Sequence, residues 1–437
     1  MSLNKESDFK MDENRKAAYF ALLDVEDRRA YSNIVLNNEK FRGKLTSPAL
    51  ATELVFGVLE NKMLLDYIID TIVPTGSDKL KSSVRVVLRM GIYQLGFMRS
   101  IPEYAAVNES VNLAKRFCKG REGFVNACLR TYIREKVNIK FPSRDEDEVK
   151  YFSIKYSYEP WIVQMWLEQY DKNFVEELLR AGNDKPSFVI RANQLKISTG
   201  DLMKRIEAIG CNVEKGSIYD DALYVKNGAV LIENDMFGHG LFSIQDEASM
   251  LVVTVLDPKP EEFIMDVCAA PGGKTMAIAE KMKNKGKILA GDIYIRKLGL
   301  INKEAQRLGV RIVETKTWDA TRINTEMIET ADRVLIDAPC SGLGVVRRKP
   351  EIKYKKKTSE FDKLPEKQLQ ILSASSKYVK PGGVLVYSTC TINQAENQDV
   401  VTEFLAKNTD FIKEEAIQLM PNVNNTDGFF ICKIKKV

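Results

Sequence analysis

The chain has 437 residues, 44% of them hydrophobic and 29% charged, which predicts two or three domains that bury their cores without metal or disulfide support. No apolar run reaches the roughly 18 residues of a membrane span, and the first residues lack the apolar core of a signal peptide, so we expect a cytoplasmic protein. A net charge of +5 permits a nucleic-acid partner without requiring one, whereas a single histidine and seven cysteines without C-x-x-C spacing argue against imidazole-based catalysis and against a metal site.

The first regular pattern, from about residue 12 to residue 137, predicts an all-α domain, which we assign to residues 1–140. Ser47-Pro48 is typical of a helix start. Apolar residues then keep helical spacing from Leu54 to Ile72, and a break follows at Pro74-Thr75-Gly76.

The second half of this domain carries a resemblance to a known family. The segments RVVLRMGIYQLGFMRSIPEYAAVNESVNLAKRF (85–117) and GFVNACLRTYIREK (123–136) resemble the NusB-type helical RNA-binding domain. The resemblance implies that the domain holds RNA and does not catalyse a reaction. A bundle that only packs against its neighbour is the alternative.

The middle of the chain predicts a linker followed by a small α+β subdomain, together covering residues 141–241. Residues 141–160 are charged and rich in turn-forming residues, which indicates the linker. From Pro186 to Leu241 short strands alternate with one helix. Arg191 and Asn193 follow an apolar strand and could meet a phosphate, but solvated strand-end residues would look the same.

From residue 242 to the C-terminus apolar strands alternate with helices, a pattern typical of a parallel sheet covered on both faces. Such a doubly wound sheet binds ligands at the carboxyl ends of its strands. The predicted strands are FIMDV (263–267), KILAGD (287–292), RIVETKTW (311–318), RVLIDAP (333–339) and GVLVYST (383–389), with a last strand within DGFFICKIKKV (427–437).

The first of these strands runs into MDVCAAPGGKT (265–275), a loop that predicts close approach to a ligand. Small residues and paired glycines permit a sharp turn, and the following helix offers free N–H groups. A phosphate-binding P-loop fits poorly, because its first glycine would fall at Cys268 and because Pro271 removes an amide donor. The nicotinamide motif G-x-G-x-x-G is absent.

Acidic residues lie at the ends of four successive strands: Asp266, Asp292, Asp319 and Asp337. A carboxylate at the end of the second strand can bind both ribose hydroxyls of a nucleoside, and Asp319 could accept a hydrogen bond from an adenine amino group. Each alone could be a helix cap or turn residue. Four in register predict an adenosine cofactor, and without a phosphate cradle this indicates S-adenosyl-L-methionine.

Two cysteines, Cys340 in DAPCSG and Cys390 in STCT, directly follow neighbouring strands, so both should open onto one crevice. A buried thiol is usually an inert small hydrophobe. Carbon 5 of a pyrimidine, however, becomes nucleophilic only after addition at carbon 6, and a thiolate suits that addition. Asp337 is the nearest candidate for the accompanying hydrogen bond at N3.

The motifs DVCAAPGGKT, DAPCSGLG and YSTCT, with FSIQDEAS (242–249) before them and DGFF (427–430) after them, resemble the RNA (cytosine-5)-methyltransferases. With the NusB-like front, the chain resembles bacterial 16S ribosomal RNA enzymes of the Sun/Fmu type. This implies three parts: an all-α NusB-like domain, an α+β connector and a Rossmann-like methyltransferase domain at residues 242–437. It also implies 16S ribosomal RNA as the substrate.

In this resemblance Cys390 attacks carbon 6 and Cys340 releases the product. With Asp337, the candidate for the hydrogen bond at N3, they are the predicted catalytic residues. Two departures, Ile293-Tyr294 after the second-strand acid and Lys349 where histidine is common, concern substrate detail. The implied cofactor contacts are Cys268, Ala269, Ala270, Pro271, Gly272, Gly273, Lys274, Asp292, Asp319 and Asp337.

A basic run, VVRRKPEIKYKKK (345–357), lies between the two cysteines and has seven basic residues in thirteen. A charge run is usually only solvated, but this one is expected to flank the crevice and meet RNA phosphates. Tyr354 could stack on a base. The target cytosine must in any case be unstacked to reach a thiolate.

Three other functions stay open at this point. The same chemistry could act on transfer RNA, the chain could be a non-enzymatic RNA-binding factor, or it could be a P-loop NTPase. We expect a monomer.

Overall fold

The computed structural model describes residues 11–28, 45–354 and 359–437. The chain divides into two compact units, one of residues 1–183 with 348–356 and the other of residues 184–347 with 357–437. Within the described ranges no helix has both the length and the apolar character needed to cross a membrane.

The first unit is helical, as the spacing of apolar residues predicts. One apolar core joins its first six described helices and includes Leu54, Leu65, Leu88 and Leu129, none of which is exposed to solvent. The described helices are Glu13–Arg28 (α1), Pro48–Glu60 (α2), Lys62–Ile72 (α3), Ser82–Phe97 (α4), Glu103–Phe117 (α5), Glu122–Glu135 (α6), Glu148–Tyr156 (α7), Pro160–Gln169 (α8) and Lys172–Ala181 (α9).

The linker prediction for residues 141–160 is wrong over much of its length, because α7 lies within it. Asp147 caps this helix by accepting a hydrogen bond from the Lys150 amide, and Phe152 is fully buried. The charges that suggested a linker lie on the outer side of the helix, where Arg144 pairs with Glu148 at 3.0 Å.

A network of charged side chains joins α1, α3 and α4 inside the first unit. Arg89, which is 5% exposed, pairs with Asp66 at 2.6 Å and with Glu26 at 3.0 Å. Glu26 also pairs with Arg85 and Lys62. Burial alone would raise the pKa of Glu26, but these cations lower it to about 2.

Replacing Arg89 by methionine should therefore destabilise the protein by about 3 kcal/mol, because it leaves Asp66 without its buried partner. Chemical denaturation followed by circular dichroism measures this change. Arg134→Met is the matched control, since Arg134 pairs with Glu135 on the surface and is 67% exposed. Equal stability of the two variants would contradict this reading.

The second unit begins with the small α+β subdomain that the sequence predicts. Its antiparallel sheet has the strand order β2-β3-β1-β4, and the last strand, at residues 242–244, lies beyond the predicted boundary at residue 241. The elements are Val189–Ala192 (β1), Thr199–Ala208 (α10), Val213–Lys215 (β2), Ala222–Val225 (β3), Asp235–Gly238 (α11) and Phe242–Ile244 (β4).

The rest of the second unit is a seven-stranded sheet with helices on both faces. Its strands are Phe263–Asp266 (β5), Lys287–Asp292 (β6), Val313–Thr317 (β7), Ala331–Asp337 (β8), Val379–Thr389 (β9), Phe411–Leu419 (β10) and Phe429–Lys436 (β11). Its helices are Glu247–Leu256 (α12), Gly273–Lys281 (α13), Ile295–Leu308 (α14), Ser359–Asp362 (α15), Leu364–Ser376 (α16), Gln398–Lys407 (α17) and Pro421–Asn424 (α18).

The strand order is β10-β11-β9-β8-β5-β6-β7, with β5 to β9 parallel and β11 and β10 antiparallel. Neighbouring residues of β5 face opposite cores: Ile264 packs with α12, α13 and α14, and Met265 with α16 and α17. The carboxyl ends of the five parallel strands therefore share one edge, where the predicted site residues lie.

Candidate active site

The loop between β5 and α13 approaches the neighbouring strand closely. The Ala269 amide donates to the Gly291 carbonyl at 2.8 Å. Gly272 has φ +109°, and a Cβ there would lie 3.2 Å from Ile301. A side chain is thus disfavoured at Gly272 by both the backbone conformation and the space, so this turn needs the glycine that the sequence provides.

Asp266 ends β5 and is almost completely buried. Its Oδ2 accepts a hydrogen bond from the Thr275 hydroxyl at 2.7 Å, whereas Oδ1 has no partner among the described residues. Burial raises the pKa of this carboxyl to about 7. The unpartnered oxygen beside the glycine turn fits a loop that receives a polar ligand, because a buried acceptor normally has a donor.

The raised pKa of Asp266 makes stability depend on pH. The unfolded chain loses this proton near pH 4 and the folded chain near pH 7, so the stabilisation from the proton is complete below pH 4 and is lost as pH rises through 7. We expect the free energy of unfolding of the ligand-free protein to fall by about 2 kcal/mol between pH 5 and 8 from this group.

Asp266→Asn should remove that part of the pH dependence, because the amide does not titrate and still accepts from Thr275. Urea denaturation at a series of pH values measures it. Asp332→Asn is a suitable control, since Asp332 lies at the opposite end of the sheet and accepts from the Phe263 amide. If the free energy of unfolding of Asp266→Asn depends on pH as steeply as that of the parent protein, Asp266 does not hold a proton in the folded protein.

Asp292 and Asp319 lie at the next two strand ends. Asp292 is buried at the end of β6, and its Oδ1 accepts from the Tyr294 amide at 2.9 Å. Asp319 is more exposed, pairs with Arg322 and accepts from the Thr321 hydroxyl, which lowers its pKa. Each of these contacts is to a residue two or three positions away, as is usual in a turn. They do not test binding of ribose by Asp292 or of adenine by Asp319, which stays a prediction.

Asp337, at the end of β8, forms an ion pair with Lys274, the second residue of α13. Lys274 Nζ lies 2.6 Å from Asp337 Oδ2 and 4.9 Å from the centre of the Phe429 ring. The Ser388 hydroxyl donates to Asp337 Oδ1 at 3.0 Å. Residues of β8, β9, α13 and β11 are thus joined around one carboxylate.

The structure brings Cys340 and Cys390 together, with their sulfur atoms 3.3 Å apart. The neighbouring Cys390 sulfur and burial hold the pKa of the Cys340 thiol well above its usual range. The two sulfur atoms can share a hydrogen bond, in which either can be the donor. A third cysteine of the region, the partly buried Cys268, lies in the loop between β5 and α13, and desolvation raises its pKa too.

Two motifs that the sequence analysis quoted but gave no role converge on Arg347. This buried guanidinium donates to Asp427 of DGFF at 2.8 Å and lies 3.6 Å from Asp246 of FSIQDEAS. Close by, the Gly428 amide donates to the Gly344 carbonyl at 2.8 Å, and the Gly344 amide donates to the Cys390 carbonyl at 3.0 Å. The loop that carries Cys340 is thus held against the C-terminal strand.

The expectation that the basic run 345–357 meets phosphates is wrong for two of its residues. Arg347 is buried in the ion pairs just described, and Lys353 is buried within the first unit, where it donates to the Glu60 carbonyl at 2.8 Å and to Asn183 at 2.6 Å. Tyr354, proposed to stack on a base, donates its hydroxyl to the Leu59 carbonyl. Lys355–Lys357 lie outside the described residues.

Both interpretations of Arg191 and Asn193 are also wrong, because the two side chains are neither solvated nor free to meet a phosphate. Arg191 pairs with Glu280 of α13 at 2.8 Å and donates to the Gly273 carbonyl at 3.2 Å. Asn193 donates to the Leu308 carbonyl at 2.9 Å. They attach the small sheet to the helices that follow β5 and β6.

Comparison with known protein families gives three matches along the chain. Residues 12–134 match the NusB family, residues 158–231 the ferredoxin-like domain of RsmF/B-like methyltransferases, and residues 253–435 the family described as 16S rRNA methyltransferase RsmB/F. The three-part organisation that the sequence predicts is confirmed.

Similar proteins extend over nearly the whole chain. The probable ribosomal RNA small subunit methyltransferase B of Bacillus subtilis is 39% identical over 97% of this chain and 98% of its own length. The corresponding protein of Synechocystis is 32% identical over 97% and 99%. The crystal structure of PH0851 has a TM-score of 0.83 at 25% identity and covers 97% of this chain and 99% of its own. That of a methyltransferase homolog from Pyrococcus horikoshii has 0.60 at 28% identity, over 67% and 99%.

Proposed function

Because the chain belongs to the RsmB/F family of 16S rRNA methyltransferases, we propose that it methylates carbon 5 of a cytosine in 16S ribosomal RNA, with Cys390 as the nucleophile. The observation that supports this chemistry most is the 3.3 Å contact between the Cys340 and Cys390 sulfur atoms. It occurs at the ligand-binding edge of the sheet, beside the Lys274–Asp337 pair.

The loop Cys268–Lys274 and the carboxylates Asp292 and Asp319 would hold S-adenosyl-L-methionine. When bound, this cofactor supplies the methyl group that carbon 5 accepts. The fit rests on the glycine turn at Gly272, the unpartnered Oδ1 of Asp266 and the absence of a phosphate cradle in the sequence. Asp292, the buried acid at the end of β6, is the proposed ribose contact.

Cys390 begins the reaction as a thiolate that adds to carbon 6 of the cytosine. A carbon–sulfur bond forms, and the electron pair of the C5–C6 double bond becomes available at carbon 5. The Cys340 S–H group donates a hydrogen bond to this thiolate before attack and so stabilises the charge.

Asp337 and Lys274 together can bind the polar edge of the base. The Asp337 carboxylate is paired with an ammonium, so it acts as an acceptor for the 4-amino group. The Lys274 ammonium supplies the donor for N3, which accumulates negative charge during the attack. With these two roles Lys274, and not Asp337, makes the hydrogen bond at N3, which refines the sequence-based prediction.

Cys340 acts after methyl transfer. It loses its own proton to solvent and then takes the proton from carbon 5. The C5–H electron pair restores the C5–C6 double bond, and the pair of the C6–S bond returns to Cys390 as a thiolate. Each cycle releases one methylated cytosine, one proton and the donor without its methyl group.

An assay with defined RNA substrates tests the proposal. The protein is incubated with labelled S-adenosyl-L-methionine and either 16S ribosomal RNA or total transfer RNA, and bisulfite sequencing maps the product. We expect a methylated cytosine in 16S ribosomal RNA only. Methylation of transfer RNA alone would overturn the substrate, and methylation at another atom would overturn the chemistry.

A further inference from the structure

Glu396 is a fully buried carboxylate six residues beyond Cys390, and the sequence analysis assigned it no role. It ends the short 3-10 turn Gln394–Glu396 that follows the loop of Cys390. Burying a carboxylate costs several kcal/mol unless donors surround it. Its donors are therefore informative.

The carboxylate accepts five hydrogen bonds, all from neutral groups. Oε2 accepts from the Ser341 amide at 2.8 Å and from Gln368 Nε2 at 3.0 Å. Oε1 accepts from the Ser341 hydroxyl at 2.5 Å, from Asn393 Nδ2 at 3.0 Å and from the Thr391 hydroxyl at 3.5 Å. Both oxygen atoms are thus occupied by donors, and none of these donors is a surface residue.

These donors come from the loops of both thiols. Ser341 directly follows Cys340, and Gln368 also donates to the carbonyl of Pro339, the residue before Cys340, at 3.0 Å. Asn393 lies three residues after Cys390. The Ser341 and Thr391 hydroxyls, one from each loop, are 2.8 Å apart.

We propose that Glu396 is a positioning residue that holds the loops after β8 and β9 together, so that the sulfur atoms of Cys340 and Cys390 stay in contact. The proposal rests on the function proposed above, because only a reaction that needs both thiols gives their contact a purpose. Glu396 acts through its donors in the two loops, Ser341 after β8 and Asn393 after β9.

The charge of Glu396 has a second effect in the same direction. The Cys390 sulfur and burial are the main causes that raise the pKa of Cys340, and the nearby Glu396 carboxylate adds to them. Asp337, which ends β8 three residues before Cys340, acts the same way. These charges therefore favour the protonated form of Cys340, whose S–H group could then stabilise a thiolate at Cys390.

Glu396→Gln tests the proposal with little change in volume. Glutamine offers one acceptor oxygen and one NH2 donor. Its NH2 group would therefore face groups that donate hydrogen bonds to the carboxylate in the parent protein. We expect the loops to separate and kcat for methyl transfer to fall about 100-fold, while KM for the RNA and for the methyl donor stays within about twofold.

Thiol oxidation gives a readout that needs no RNA. Diamide accepts the two electrons and two protons of the thiols and leaves a Cys340–Cys390 disulfide, whose formation is followed by mass spectrometry. We expect Glu396→Gln to form this disulfide about 10-fold more slowly than the parent protein. Asp332→Asn, which changes a carboxylate far from the thiols, should form it at the parent rate.

Ser341→Ala is a milder variant that tests the same contact if Glu396→Gln fails to fold. It removes one hydroxyl and keeps the amide bond to Glu396, so its effects on both rates should fall between those of the parent and Glu396→Gln. A folded Glu396→Gln protein with parental kcat and parental disulfide rate would overturn the proposal. If Glu396→Gln forms the disulfide more slowly than the parent protein but the parent protein methylates no RNA, the positioning role is supported and the proposed function is overturned.

Discussion

Cys390→Ala should lose methyl transfer to RNA by on the order of 10⁴-fold or more in kcat. Carbon 5 of cytosine is unreactive until a nucleophile adds to carbon 6, and alanine cannot add. The remaining thiol is not expected to substitute, because the proposed role of Cys340 is a later step, the removal of the carbon 5 proton. Transfer of a radiolabelled methyl group to 16S ribosomal RNA measures the loss.

Binding of the methyl donor should be almost unchanged in Cys390→Ala. The loop Cys268–Lys274, which is proposed to bind the donor, joins β5 to α13, whereas Cys390 follows β9. Isothermal calorimetry with S-adenosyl-L-methionine checks this. Cys211→Ala is the matched control: it removes a partly exposed thiol from the small subdomain and should keep full activity. A Cys390→Ala enzyme that methylates at the parental rate would rule out the nucleophile assignment.

Cys340→Ala should have a different result, the accumulation of a covalent protein–RNA complex. Cys390 can still attack and methyl transfer can still occur, but the base that removes the carbon 5 proton is missing. Loss of such a proton transfer slows a step by about 10²- to 10⁴-fold, so the adduct persists. A band that resists denaturing electrophoresis and disappears after ribonuclease treatment identifies it.

The double variant Cys340→Ala with Cys390→Ala is the control for this experiment. It should form no such band, because the attacking sulfur is gone. An equally strong band from the double variant would mean that another residue forms the bond, and rapid turnover by Cys340→Ala would mean that a different group removes the proton.

β5, β6 and the second half of β9 could be predicted because both of their faces are buried. Each is a short run of mostly apolar or small residues, and β6 has the predicted bounds, 287–292. β10 was missed because it lies at the edge of the sheet and most of its residues are exposed, so that Phe411–Leu419 has a polar sequence without a clear alternation. An edge strand is defined by its partner, which the local sequence does not show.

Charged residues were the least predictable part. Arg191, Arg347 and Lys353 were interpreted as surface or phosphate-binding residues, yet each is buried with acceptors that lie far away in the sequence. Arg191 and Glu280, for example, are 89 residues apart. A local pattern shows that a cation is present, whereas its partner depends on the tertiary fold.

The active site also has residues that the local sequence predicts and residues that depend on the tertiary fold. Cys340, Cys390, Asp337 and Lys274 could be placed together because each lies at a strand end or directly after the glycine turn. Glu396 could not, because it follows no strand and its donors come from three separate segments. A buried acid in an otherwise polar segment, INQAENQ (392–398), carries no local signal of its function.

The proposed mechanism depends on a bond between the sulfur of residue 390 and a cytosine, and mass spectrometry of the Cys340→Ala complex tests that bond directly. The complex is digested with trypsin and nuclease, and the modified peptide is sequenced. We predict a methylated cytidine nucleotide on Cys390. A nucleotide attached to any other residue, or no modified peptide from an active preparation, would contradict the proposed mechanism.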